Sequence, residues 1–298
     1  MDSKRVFTHY IPKSIHAADG VKLYYEIDDN PRSHPPIFFL HGLGGDATAW
    51  DAERLALYNK GYTTISLDLR GHGLSGRADD EASYALPRFA EDILRLLQEE
   101  NIKKCILVGH CFGGFVAMQA TYFYQTYVEA LVLIDSNDKP PRFSEFIVDH
   151  ALVKKVVHLI GEHLPNIGST GHVDFSKYVG TSDYDKKRLL SDVLHTHLRS
   201  YFFSAEQFFT ADLREVLKKI TVPTLIMHGA EDTIFPPEVA KKLQKKIKTS
   251  EVAFVPGANH IVVINNPVEL VRLLDNFLQK LPATTASTAK SAARRPTT

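Results

Sequence analysis

Six short runs constrain this chain most: PPIFFLHG (35–42), TTISLDLRGHG (63–73), CILVGH (105–110), ALVLIDS (130–136), PTLIMHG (223–229) and EVAFVPG (251–257). Several are apolar at consecutive positions, too short for a helix and mostly closed by Gly, which predicts strands buried on both faces. Between them lie helical patterns: Ala47 to Asn59, Pro87 to Glu100 with Pro at its start, Phe112 to Gln125, Pro237 to Ile247 and Pro267 to Leu281. Strands buried on both sides must be covered on both sides, so the alternation predicts an α/β fold with a mostly parallel central sheet between helical layers. VKLYYEI (21–27) alternates apolar and polar residues like a half-buried strand.

The alternation breaks once. Residues 136–213 read as helical, in FSEFIVDHALVKKVVHLIGEHL and KKRLLSDVLHTHLRSYFF, with no strand of comparable quality. They are expected to be a helical cap inserted between a first core part, 1–135, and a second, 214–281. Leu190, Leu194, Leu198 and Phe202 recur every four residues and are expected to form the cap's own core. The last stretch, 282–298, is small and polar and is expected to be a disordered tail.

Composition narrows the partners. Thirty-five basic and thirty-five acidic residues leave no formal net charge, and 44% hydrophobic residues are ordinary for a globular enzyme. Such a balance offers no footprint for nucleic acid and points to a small-molecule partner. No apolar run approaches the roughly 18 residues of a membrane span, and MDSKRVFTHY lacks the apolar core of a signal peptide, so a cytoplasmic protein is expected. Cys105 and Cys111, the two cysteines, are six positions apart on a segment that starts as a strand, a separation on the order of 15 to 20 Å. That is too far for a disulfide, so both are expected to be free thiols.

Cys111 lies where a strand signal runs directly into a helix signal, in ILVGHCFGGFVA (106–117). Gly109 and Gly113 flank it at two residues on either side. A turn this abrupt strains the central residue and brings the flanking positions too close for side chains. The central side chain then projects beside a helix N-terminus, whose free N–H groups favour an anion.

These motifs resemble the α/β-hydrolase superfamily, over nearly the whole chain from about Val21 to Leu281. Gly-x-Cys-x-Gly is similar to its nucleophile elbow. HGLGG (41–45) resembles its oxyanion loop, which implies oxyanion donors at the N–H groups of Leu43 and Phe112. DLRGHGLS (68–75) resembles the loop after the fourth strand. HGAEDTIFP (228–236) places Asp232 where the family's acid sits, and PGANH (256–260) places His260 where its base sits. The resemblance implies a catalytic set of Cys111, Asp232 and His260, with no cofactor and no metal. Asp135, at the end of LVLID, is an alternative acid. Glu231 is expected to point away, and His41, His72 and His228 are read as structural. His195 and His197 form no metal-ligand constellation.

Most members of the superfamily carry serine at the corner. A cysteine there, beside a histidine and a helix N-terminus, forms a thiolate readily and yields a thioester acyl-enzyme. Dienelactone hydrolases and polyhydroxyalkanoate synthases are similar in this respect. The implied activity is an acyl hydrolase acting on an ester, thioester or lactone whose apolar acyl part lies under the cap. An acyltransferase using the same three residues and a non-catalytic ligand-binding homologue remain open alternatives. Without an aspartate nucleophile, haloalkane dehalogenase and epoxide hydrolase chemistry are not expected.

Overall fold

The structure, a computed structural model, describes residues 9–30, 34–140, 155, 158, 159, 163 and 171–281. The expected tail at 282–298 and most of the first predicted cap helix lie outside these residues. Eight strands form one sheet: β1 (Tyr10–His16), β2 (Lys22–Asp28), β3 (Ile37–Leu40), β4 (Thr64–Leu67), β5 (Cys105–His110), β6 (Val128–Ile134), β7 (Thr224–Gly229) and β8 (Ser250–Val255). Their spatial order is β1-β2-β4-β3-β5-β6-β7-β8. β1 and β2 are antiparallel, as are β2 and β4, and every pairing from β4 to β8 is parallel.

The two-residue period of a strand divides the core. Phe38, Leu40, Ile65, Leu67, Leu107, Leu131 and Leu133 face one layer, while Ile37, Phe39, Ile106, Val108, Val132 and Ile134 face the other. The first layer includes α2 (Leu86–Glu99) and α3 (Phe112–Tyr124), and the second α1 (Asp51–Asn59) and α9 (Pro267–Leu278). α2 buries Phe89, Ala90, Ile93, Leu96 and Leu97, one stripe at helical spacing, and starts with Pro in its first turn. Because β3 to β8 run the same way, their carboxyl ends share one edge, and the loops carrying Leu43, Cys111, Asp232 and His260 gather there.

Between β6 and β7 the structure holds α4 (Lys186–His195), α5 (Leu198–Thr210) and the short α6 (Arg214–Leu217); α7 (Glu238–Lys246) and α8 (Val262–Asn265) follow in the second core part. Two differences from the sequence reading stand out. β1 had no strand signal, because YIPKSIH contains Pro and is exposed along most of its length, a composition suited to a sheet edge where an unpaired N–H faces solvent. The Leu190, Leu194, Leu198, Phe202 stripe is not a buried core: the helix breaks at Thr196 and His197, and Leu190 and Leu194 are 59% and 53% exposed. Among the described residues no helix is long and apolar enough to cross a membrane.

Candidate active site

Cys111 occupies the corner between β5 and α3 with φ 50° and ψ −115°, a left-handed conformation that costs an ordinary residue on the order of 1–3 kcal/mol. The surroundings enforce it. Its N–H donates to the Ile134 carbonyl at 3.0 Å, and its own carbonyl accepts from the Gly114 N–H and the Ser136 hydroxyl, each at 3.0 Å. A Cβ on Gly109 would stand 2.3 Å from the Gly113 carbonyl oxygen, and one on Gly113 would stand 2.2 Å from that of Leu40. Glycine is therefore required on both sides, as the spacing implied.

His260 follows β8 and is buried, with Nδ1 2.9 Å from Oδ2 of Asp232. A carboxylate can only accept, so Nδ1 carries the proton and Nε2 is left for Cys111. Burial disfavours the imidazolium, but the Cys111 and Asp232 charges and their hydrogen bonds outweigh it and hold His260 well above its ordinary value. Burial likewise pushes Asp232 up, yet His260 and the Phe235 N–H prevail and keep the carboxyl below the usual range. Its Oδ1 accepts from the N–H groups of Ile234 and Phe235 at 2.8 and 2.9 Å, which leaves Oδ2 aimed at the ring.

Asp135 is placed differently. Its Oδ1 accepts from the Gly229 N–H at 2.7 Å, its Oδ2 has no hydrogen-bond partner, and burial drives its pKa well above the ordinary value. Asp135 makes no bond to His260, and the carboxylate bonded to His260 is Asp232. Glu231 is exposed. His41 accepts the Leu69 N–H at Nε2, and His228 donates to the Phe235 carbonyl, which agrees with structural roles. Cys105 is fully buried, and burial pushes its thiol up.

The HGLGG loop passes Cys111 so closely that a Cβ on Gly42 would lie 3.4 Å from the Cys111 Cβ. Among the described residues, no protein acceptor takes the N–H of Leu43 or of Phe112. α3 adds the positive end of its dipole at this corner. His110, before Cys111, donates from Nε2 to the His260 carbonyl at 2.9 Å. Burial and the His260 charge drive its pKa down to about 3, so it stays neutral beside His260.

Four residues that the sequence did not single out come from the segment between β6 and β7. The buried Asp183 accepts from the His260 N–H at 2.8 Å with one carboxylate oxygen, and from the Thr233 N–H and hydroxyl at 3.0 and 2.5 Å with the other. It thereby ties the His260 loop to the Asp232 loop. Arg188 and Asp192 share the wall of a cleft with Leu43, Trp50, His110 and Ile261, among others. Tyr201 is raised to about 12 by burial and by the nearby charges of Asp192 and Cys111. α4 reaches the HGLGG loop by direct contact: Gly44 has φ +79°, and a Cβ there would be 2.5 Å from the Asp192 Cβ. Their place at the site depends on groups distant in sequence, such as His260 and Gly44, so no local motif marks them.

Sets of possible metal ligands occur near the site, namely His110, Asp135 and His260, then Asp135, His228 and Asp232, and further out Asp46, Asp68 and His172. Their donor atoms are largely engaged with backbone groups and with one another. Asp68 alone takes the N–H groups of Ala47 and Leu74 as well as the His172 ring. The Asp68 set is thus a hydrogen-bond relay, whereas in the second set Asp135 Oδ2 and His228 Nδ1 have no hydrogen-bond partner.

Comparison with known proteins agrees with this architecture. The chain is 29% identical over 255 residues to the bifunctional esterase/perhydrolase DCH of Acinetobacter calcoaceticus, covering 81% of this chain and 90% of that protein. It is 25% identical over 283 residues to the sn-1-specific diacylglycerol lipase ABHD11 of Xenopus laevis, covering 90% and 87% respectively. Among solved structures, the esterase EaEST from Exiguobacterium antarcticum superposes with a TM-score of 0.71 at 22% identity, over 90% of this chain and all of that one. The model of the alpha/beta hydrolase family matches residues 37–273, from β3 into α9, and the chain belongs to that family.

Proposed function

We propose that the protein hydrolyses ester-type acyl bonds (ester, thioester or lactone) with Cys111 as nucleophile, His260 as general base and acid, and Asp232 as the carboxylate that orients it. The observation that carries this reading is the Cys111 corner, held at φ 50° next to a histidine whose far nitrogen is fixed by Asp232 at 2.9 Å. A residue held in that conformation, with free N–H donors beside it, is arranged for attack on a carbonyl. Relatives named as an esterase/perhydrolase and a diacylglycerol lipase support the bond class.

In this mechanism the sulfur attacks the acyl carbon and the carbonyl electrons move to oxygen, which the Leu43 and Phe112 N–H groups receive. The intermediate collapses, the C–O or C–S bond to the leaving group breaks, and His260 gives that group its proton. Water then attacks the thioester, His260 takes one of its protons, and collapse releases the acid and restores the sulfur. Asp232 keeps the imidazolium oriented throughout. We assign residues 136–213 to a cap over the site, supported by the reach of Asp183, Arg188 and Tyr201 into it. The apolar acyl part fits against Leu43, Trp50, Ile261 and Val263 of the cleft.

Turnover of a panel of activated acyl esters by the wild type, Cys111→Ala and Cys111→Ser tests the proposal. We expect the alanine variant to lose at least about 10³-fold in kcat/KM while keeping its fold. An alanine variant as active as the wild type would overturn the assignment. Absence of turnover by any form would favour the ligand-binding alternative.

A further inference from the structure

The cleft lined by Gly42, Leu43 and His110, the last being the chain neighbour of Cys111, holds one guanidinium, and its setting is unusual. Arg188 is held by its own segment at two points: one terminal nitrogen donates to Asp192 Oδ2 at 2.6 Å and the other to the carbonyl of Asp183, just before the helix, at 2.9 Å. Its Nε is buried and has no hydrogen-bond partner. Leaving such a donor unpaired costs on the order of 1–3 kcal/mol, so the geometry is incomplete without an acceptor. Asp192, its one carboxylate partner, is itself poorly placed to stay ionised. Burial comes first and the nearby Asp46 adds to it; despite Arg188, its carboxyl is raised to about 7. Asp46, Tyr201, His110, Asp183 and Asp185 are charged or titratable neighbours of this pair, and among these groups Arg188 alone carries a fixed positive charge.

We infer that the substrate carries a carboxylate that Arg188 binds in this cleft, so that the favoured substrates are acyl esters, thioesters or lactones with a second, ionised carboxyl group. A carboxylate matches the guanidinium fork and can take the Nε–H that the protein leaves unpaired. One cation that already shares a carboxyl group cannot balance a dianion, which sets a carboxylate ahead of a phosphate monoester. The inference rests on the Cys111 reading for its reaction but not for its binding step, and the two are separable.

The test uses the monomethyl esters of succinate, glutarate and adipate with their dimethyl counterparts. Calorimetry on Cys111→Ala at pH 7 reads binding alone. We expect at least one monoester to bind about 30-fold more tightly than its diester, and Arg188→Gln in the same background to erase that preference. In the catalytically intact protein the monoester-to-diester ratio of kcat/KM should fall by a similar factor with Arg188→Gln and by less with Arg188→Lys. Asp192→Asn removes the competing carboxylate and should tighten monoester binding several-fold at pH 8, where Asp192 is mostly ionised; this variant keeps the test open if Arg188→Gln folds poorly. Equal binding of monoesters and diesters, a preference that survives Arg188→Gln, or tighter binding of a phosphate monoester would overturn the inference. If no ester is turned over yet the calorimetric preference holds, Cys111 chemistry fails and the anion site stands.

Discussion

The sheet-edge loops and the segment between β6 and β7 both reach the candidate site, and they secure it by different means. The loops are fixed by the backbone: Cys111 is clamped through its N–H and carbonyl to Ile134, Gly114 and Ser136, and the glycines beside it leave room for nothing else. The β6–β7 segment works through polar side chains. Asp183 bridges two loops, Arg188 and Asp192 line the cleft, and His172 pairs with Asp68 at 2.9 Å. Tyr84 and the Ser200 hydroxyl, 2.6 Å apart, tie α5 to the core. Backbone-clamped geometry suits atoms that must react within tenths of an ångström. Side-chain docking suits a surface that decides what enters.

This contrast orders the expected effects. Substitution of His260 by Ala should be the most damaging after loss of the sulfur itself, about 10³-fold in kcat/KM, with Asp232→Asn close behind because the ring loses its orienting acceptor. Asp135→Asn should cost little, since Asp135 makes no bond to His260 and an amide oxygen can keep its contact with the Gly229 N–H. A collapse with Asp135→Asn alone would reassign the acid. Cys111→Ser should lower kcat/KM by on the order of 10²-fold, because oxygen lies closer to its carbon than sulfur does and meets the Leu43 and Phe112 donors at different distances.

Next is Asp183→Ala, which acts on the same chemistry only through position. We expect a loss of about 10-fold in kcat, with the alkaline or acid limb of the pH–rate profile displaced as His260 loosens, and a fall in Tm of several degrees from the unpaired N–H groups. A fall in Tm with no change in the pH profile would reduce Asp183 to a structural tie and weaken the distinction between the two regions.

The smallest expected effect is on stability. Burial pulls His172 down, but the Asp68 hydrogen bond and charge prevail and raise it to about 9. The folded state therefore holds this proton more tightly than the unfolded chain. The resulting stabilisation is complete below about pH 6.5 and is lost as pH rises through about 9, an amount on the order of 3 kcal/mol. Denaturation of the wild type and of His172→Gln across that range should show a steeper decline for the wild type. Parallel profiles would mean that His172 does not dock the segment electrostatically.

How much of this was legible depended on how local the cause was. The sheet was, because buried parallel strands write themselves as apolar runs. The corner was too, since Gly109, Cys111 and Gly113 enforce one another within five residues. Asp232 and His260 could be named only by their place after β7 and β8. β1 was not legible: Pro12 and an exposed face erase the strand pattern, and the antiparallel partner at Lys22–Asp28 supplies the reason it forms. The stripe at Leu190 and Leu194 misled because a four-residue spacing cannot reveal that the helix ends at His195. Asp183 and Arg188 look like any charged residues of an amphipathic stretch. Their roles come from partners such as His260, 77 positions away from Asp183.

Intact-mass measurement after brief exposure to an activated acyl ester tests the role of Cys111 most directly. We expect a single acyl adduct on the wild type and on Cys105→Ala, removed by hydroxylamine as a thioester is, and no adduct on Cys111→Ala. An adduct of the same mass and amount on Cys111→Ala would place the nucleophile elsewhere and contradict the assignment.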